Sequence, residues 1–312
     1  MDDLHQLPKF REALSYVYLE HVRIDRHECS VSVWDDAGEL PLPAAGLNVL
    51  MLGPGTTITH AAVDALADNN CLVVWCGEEM VRFYAFGTGG TQSSVRLLHQ
   101  ARAFADEAAR MEVVRRMYLL RFEEVPPAHY TIEQLRGMEG ARVRKAYAEA
   151  SAECGVPWHG RHYNHADWEQ ADPANKALSA ANSCLYGLAH AAIVSAGYSP
   201  AIGFIHTGHM RSFVLDIADL YKADLTIPLA FRMAALPLTM PIERATRIAC
   251  RDLFREFKLL ERIIPDIEKV LGKPSAAELA EAEAVDSNPD EPLPLAGSDL
   301  PGGANHAPRE EG

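Results

Sequence analysis

Two acids spaced three residues apart, Asp216 and Asp219, sit in an otherwise apolar run, Ser212-Phe-Val-Leu-Asp-Ile-Ala-Asp-Leu-Tyr-Lys222. On a helix such a pair shares one face with Cβ atoms roughly 5–6 Å apart, and two like charges that close call for a proton or a cation between them. Upstream, His206 lies between Gly203 and Gly208 on an expected turn, where an imidazole can swing toward the acids as a third ligand. A second candidate is Glu139, bracketed by Gly137 and Gly140 inside a helical pattern and followed by Arg142 and Arg144, with Arg136 just before it. Each glycine costs a helix about 1 kcal/mol relative to alanine, which the close approach of another backbone would justify. A glutamate there would serve as a metal ligand beside groups that neutralise phosphate. On residue types alone the alternatives stay open: surface acids on an amphipathic helix, a hydrogen-bonded turn histidine, and a kinked helix with a salt-bridged glutamate.

The elements that must position these residues divide the chain. Residues 1–88 read as a small β-rich domain. They show alternation over 29–35, an Asp36-Ala37-Gly38 hairpin turn, buried-type strands at 47–52 and 72–75, a helix over 60–67, and a strand over 81–86. Gly87-Thr-Gly-Gly-Thr-Gln-Ser93 breaks regular structure and marks the boundary. Residues 89–272 read as a larger all-α domain, with helices over 95–121, 131–153, 174–196, 210–223 and 242–271. Residues 273–312, rich in Pro, Ala, Asp and Glu, have the composition of a disordered acidic tail. The fold class expected is therefore α+β.

Bulk composition excludes some functions. Hydrophobic content of 48% with 23% charged residues is ordinary for a globular chain, and no apolar run in the sequence suggests a membrane span. The acidic N-terminus lacks a secretory pattern, so a cytoplasmic location is expected. Six cysteines without a Cys-x-x-Cys pair read as reduced, mostly buried thiols. The net charge of −14 would argue against nucleic acid, but the segment 276–312 alone carries nine acids against Arg309. The body, by contrast, holds a basic stretch of Arg96, Arg102, Arg110, Arg115, Arg116 and Arg121. That stretch is either a helix face laced with ion pairs or a phosphate-binding track.

Several blocks, Gln134-Leu-Arg-Gly-Met-Glu-Gly-Ala-Arg-Val-Arg144, Ser183-Cys-Leu-Tyr-Gly187, Gly203-Phe-Ile-His-Thr-Gly208 and Asp216-Ile-Ala-Asp-Leu220, resemble the CRISPR-associated integrase, Cas-one, in its type I-E form. Leu52-Gly-Pro-Gly-Thr56, Thr59-His-Ala-Ala62 and Cys250-Arg-Asp-Leu-Phe254 follow the same order, so the resemblance covers about residues 8–272. It implies a β-rich domain that makes dimer contacts and a helical domain whose metal ligands are Glu139, His206 and Asp219. Asp216 would be a further active-site acid, Tyr186 an active-site tyrosine, and Arg82 a basic residue near DNA, alongside the candidates Arg136, Arg142 and Arg144. His209 and Thr57 depart from relatives that often carry Lys and Arg there. The implied cofactor is Mg²⁺ or Mn²⁺, which mixed Glu, His and Asp ligation suits better than structural zinc. The implied partners are double-stranded DNA (spacer precursor and repeat array), a second copy of the chain, and a small Cas-two protein in a heterohexamer. The reaction implied is insertion of captured DNA at repeats by 3′-hydroxyl transesterification. A trimming nuclease and a noncatalytic DNA-binding scaffold are the competing classes.

Overall fold

The computed structural model describes residues 16–27, 30–78, 83–87, 93–122, 127, 129–161 and 171–279. Arg82 and Cys29 lie outside the described residues, as does the tail from residue 280 onward. The described residues up to Pro274 belong to one unit, and Ser275 begins a second, in which it caps a short helical turn through Glu278.

The architecture is α+β, with the strands first. Strands β1 (Tyr16–Leu19), β5 (Val49–Leu52), β7 (Leu72–Cys76) and β8 (Phe83–Phe86) make one sheet in the order β1-β5-β7-β8, parallel except for β8. Strand β5 is buried at every position, as an apolar run covered on both faces should be. Strands β2 (Arg23–His27), β3 (Ser30–Asp35), β4 (Gly38–Leu42) and β6 (Thr57–Ile58) make the second, in the order β4-β3-β2-β6. The expected hairpin is present, because Asp35 Oδ1 accepts from the N–H groups of Ala37 and Gly38 at 2.7 and 3.1 Å. Helix α1 (His60–Asp68) packs its alanines against this half, capped by Thr59.

Helices fill the rest: α2 (Val95–Ala105), α3 (Glu107–Arg121), α4 (Ile132–Cys154), α5 (Pro173–Ser195), α6 (Ser212–Ala218), α7 (Ile227–Ala235), α8 (Ile242–Glu256) and α9 (Leu259–Leu271). Three stretches that read as single helices are broken. Asp106 turns to extended backbone and caps α3 by accepting from Ala109 N at 2.7 Å. Lys258, at φ 47°, separates α8 from α9. The 210–223 helix ends at Ala218 and passes through a π-helical turn, Lys222–Thr226, into α7, an element absent from the sequence reading.

Helix α5 is the axis of the molecule. It opens with Asp172 as N-cap and Pro173 in the first turn, and it is apolar on nearly every side. By length and composition it is the one helix among the described residues able to cross a membrane, yet 72% of that stretch is buried inside the protein. The first sheet docks on it through Val49, Met51, Leu72 and Val74 against Ala191, with Phe83 and Val194 alongside. Phe83 of β8 also stacks on the His190 ring at 3.7 Å between centroids.

His190 is 7% exposed, and neither ring nitrogen has a hydrogen-bond partner among the described residues. Burial, helped by the Arg211 charge, pushes its pKa down to about 4. Between that value and the ordinary 6.5 the unfolded chain binds a proton that the folded chain excludes, so stability falls as pH drops through this window. Urea unfolding at pH 7.5 and pH 4.5 should show a loss that is smaller in His190→Gln by up to about 3 kcal/mol. An equal pH dependence in the two proteins would refute this account of the ring.

Candidate active site

Four segments converge on one cleft: the middle of α4, the outer face of α5, the irregular run 201–211, and the chain from α6 into the π-helical turn. The cleft is a cavity of about 800 Å³ whose lining includes Glu139, Tyr186, Asp219, Lys222, Arg161 and Arg211.

Asp216 organises it. The carboxylate is fully buried, and it is satisfied from one direction by the run that precedes the helix. Oδ2 accepts from the N–H groups of Phe204 and Ile205 at 2.6 and 3.1 Å, and Oδ1 accepts from His206 N at 2.9 Å. Oδ1 also meets His206 Nδ1 at 2.7 Å. A carboxylate only accepts, so Nδ1 carries a proton, and in the neutral ring the lone pair is then on Nε2. That is the tautomer a metal-binding histidine needs, with a carboxylate fixing the ring. The segment can wrap this tightly because residue 203 is glycine, where a Cβ would sit 2.4 Å from the His206 carbonyl oxygen and 2.7 Å from Ser212. The reading of Asp216 and Asp219 as a like-charge pair on one helical face is corrected. Asp216 is compensated by three N–H groups and an imidazole, and Asp219 falls one residue beyond α6 as its C-cap.

Asp219 and Glu139 occupy a different environment. Asp219 Oδ1 takes Lys222 Nζ at 2.6 Å, and its Oδ2 lies 3.9 Å from His206 Nε2 and 4.0 Å from Arg121 Nη1. Glu139 Oε1 is 4.0 Å from the same Arg121 nitrogen and 3.8 Å from Arg142 Nη1. Its Oε2 is buried with no donor among the described residues. Burial holds the Glu139 carboxyl above the ordinary range; the Arg121 and Arg142 charges oppose this shift, Asp219 adds to it, and Lys222 opposes it. Among the described residues no three His, Cys, Asp or Glu side chains stand in a closed metal-ligand cluster. The donors nevertheless fit a hard divalent ion: an orphaned buried glutamate oxygen, an aspartate oxygen without a hydrogen bond, and an imidazole lone pair.

Tyr186 lies on the α5 face of the cleft, with Lys222 Nζ 4.7 Å from its ring centroid. Lys222 titrates above its ordinary value, because the Asp219 and Tyr186 contacts outweigh the burial that would lower it. Sequence reading passed over Lys222, although its position three residues after Asp219 was a signal for an ion pair. It also passed over Arg161, which donates to Asn175 and to Ser179 Oγ at 2.7 Å and so is fixed at the rim.

Other expectations fare differently. The two glycines of α4 are not explained by an approaching backbone: a Cβ at Gly137 meets nothing within 4 Å, one at Gly140 meets only Arg144 Nη1 at 3.3 Å, and the helix is continuous. Four of the six arginines in the basic stretch of α2 and α3 are engaged within the protein. Arg96 pairs with Glu268, Arg116 with Glu112, Arg110 donates to the Phe204 carbonyl, and Arg121 is buried. Of the DNA-binding candidates, Arg136 donates to the Ile205 carbonyl and Arg142 pairs with Asp224 at 3.1 Å, while Arg144 is exposed. His209 shapes the turn before α6, where its Nδ1 accepts from Arg211 N at 3.0 Å.

The chain is similar to proteins of one family. The family model described as CRISPR associated protein Cas1 matches residues 118–236, which contain every ligand candidate. A CRISPR-associated endonuclease Cas1 2 of Thermus thermophilus is 53% identical over 93% of this chain and 88% of its own. A CRISPR-associated endonuclease Cas1 of Geobacter sulfurreducens is 49% identical over 84% and 85%. The crystal structure of a TtCas1–DNA complex superposes with a TM-score of 0.75 at 55% identity, covering 85% of this chain and 99% of that one.

Replacing Asp216 by Asn puts an NH₂ group where donors converge, so some donor faces a donor in either orientation. Denaturation should show a loss of about 2–4 kcal/mol, and ¹⁵N spectra of the His206 ring should lose the Nδ1–H tautomer. An unchanged stability and tautomer would show that the carboxylate does not fix the ring.

Proposed function

Because the chain belongs to the CRISPR associated protein Cas1 family, we propose that it is an endonuclease and integrase of CRISPR adaptation, inserting captured DNA fragments as spacers at repeats. The observation that carries the proposal is the desolvated Glu139, with one buried oxygen unpartnered, facing Asp219 and a tautomer-fixed His206 at the edge of a cation-lined cleft. Glu139, His206 and Asp219 would hold Mg²⁺ or Mn²⁺, which when bound would polarise a phosphoryl oxygen and offset charge on the oxygens exchanged.

The reaction is transesterification. The 3′-hydroxyl of a captured fragment attacks a phosphodiester at the repeat edge, one P–O bond forms as another breaks, and the proton ends on the released 3′-oxygen. Bond number is conserved, so no nucleotide triphosphate is consumed. Asp216 keeps the His206 lone pair aimed outward. Lys222, Arg161 and Arg211 supply positive charge along the cleft for the phosphates, and Tyr186 orients the attacking hydroxyl or the phosphate.

The proposal extends to assembly. The order and spacing of the sequence blocks favour the type I-E form, with the β-rich part of residues 1–88 making the contacts of a homodimer and the helical part of 89–272 carrying the site. Two such dimers would flank a dimer of the small Cas-two protein, with double-stranded DNA across the whole in the cytoplasm of a prokaryote. Arg82 and Arg144 would lie along the DNA.

A labelled duplex with free 3′-hydroxyls, a repeat-bearing plasmid, the purified chain, the small partner and Mn²⁺ or Mg²⁺ constitute the test. Joined product should form with wild type and fall by about 100-fold or more in Asp219→Ala and Glu139→Ala, and on chelation. Cutting without joining would favour the trimming nuclease. Binding without any product under either metal would favour the scaffold.

A further inference from the structure

The proposed chemistry makes no use of Arg121, a buried cation beside its acids. Arg121 is the last residue of α3, and its side chain is 1% exposed. Nη2 donates to the Asp216 carbonyl at 2.8 Å, Nη1 stands 4.0 Å from both Glu139 Oε1 and Asp219 Oδ2, and the guanidinium carbon lies 5.3 Å from the Tyr118 ring centroid. Its Nε has no hydrogen-bond partner among the described residues.

Burying a guanidinium costs several hydration bonds, and the group cannot discard its charge to avoid that cost. Only one nitrogen makes a short hydrogen bond, so bonding alone does not account for the placement. The symmetric position between two carboxylates does. Glu139 comes from α4 and Asp219 from the end of α6, elements that meet only in the fold, and Asp216 adds a third negative charge close by. Left together in a desolvated space, the three would repel. Arg121 offsets that repulsion from between the two acids, together with Lys222 beside Asp219 and Arg142 beside Glu139.

We infer that Arg121 is a positioning residue: a permanent internal cation that holds Glu139 and Asp219 in place before any ion enters and, by its fixed charge, keeps the affinity of the site for a divalent ion low. The inference rests on the reading that Glu139 and Asp219 hold such an ion. It separates preorganisation from occupancy. The acids stay aimed at one another's vicinity without metal, and the ion gains less there than it would between uncompensated carboxylates.

The test is Mn²⁺ binding to the full chain, followed by the free-ion signal in electron paramagnetic resonance, for wild type, Arg121→Gln, Arg121→Lys and Asp219→Asn. Arg121→Gln should bind Mn²⁺ about tenfold or more tightly than wild type, because a unit charge close to the ion has been removed from a weakly screened space. Arg121→Lys, which keeps the charge, should stay within about threefold of wild type on the same ground. Asp219→Asn should weaken binding. If Asp219→Asn binds as wild type does, the metal reading fails. If Asp219→Asn weakens binding while Arg121→Gln matches wild type, the metal reading stands and the inference about Arg121 is overturned. Should Arg121→Gln fold poorly, the double variant Arg121→Gln/Glu139→Gln decides in metal-free urea unfolding. Recovery of stability relative to the single variant supports charge compensation, and additive losses overturn it.

Discussion

A carboxylate with no exposure to water must be given donors, and the site is shaped by how Asp216 obtains them. Three successive N–H groups from residues 204–206 point inward at it, which forces the run after Gly203 to curl around a single side chain. The curl fixes the His206 ring, and the ring's second nitrogen then faces Asp219. The same side chain anchors α6, so the helix end that carries Asp219 is set by the group that sets the imidazole. Loss of any one of these contacts leaves a buried donor or a buried charge unmatched, which is why the arrangement is cooperative rather than a set of separable bonds.

Around this kernel the helices act as a rigid frame. Helix α5 is buried on nearly all sides, and its one open face is given to the cleft: Ser179, Ser183, Tyr186 and His190 recur at helical spacing along the cavity wall. The β-rich part closes on the same helix through Ala191 and Phe83, so a movement of β8 would be felt at the wall of the cleft. The net charge of −14 is then a poor guide to what the cleft binds. Its acids are matched locally by Arg121, Arg142 and Lys222, and much of the net negative charge of the sequence falls in residues 276–312, with nine acids against Arg309.

What could be read from sequence follows from which forces are local. Capping is local, and the helix read from residue 131 begins within a residue of that point, where Thr131 and Gln134 close a full capping box. Alternation over β3 and the Asp35 turn were legible for the same reason. The breaks at Asp106, at Lys258 and in the π-helical turn were not, because the flanking residues keep helical periodicity and tertiary packing chooses where the chain bends. In the site, the resemblance singled out Glu139, His206, Asp216, Asp219 and Tyr186, and the fold gathers Glu139, His206, Asp216 and Asp219 around Arg121 while Tyr186 joins them through Lys222. On residue types alone the different work of the two aspartates was hidden, since both look alike at i and i+3 and only the backbone of residues 204–206 separates them. The arginines stayed ambiguous for the converse reason: a basic stretch looks the same whether its charges face phosphate or, as Arg96, Arg116 and Arg110 do, face Glu268, Glu112 and the carbonyl of Phe204.

The charge balance of the cleft also constrains how it can bind phosphate. Lys222 is already engaged with Asp219 at 2.6 Å, and Arg142 divides itself between Asp224 and Glu139. A phosphate entering the cleft therefore gains these cations only by exchanging one partner for another, so the net return is the difference between two ion pairs rather than the full attraction of either. Under the proposed function, that difference would grow where an ion held by Glu139 and Asp219 took over the carboxylates, since Lys222 and Arg142 would then be free to turn toward the phosphate. Occupation of the acid side and occupation of the phosphate side are thus coupled through the same side chains. Under the proposed function, the coupling would stabilise a fully assembled site more than either half-filled one, so ion and phosphate would bind cooperatively.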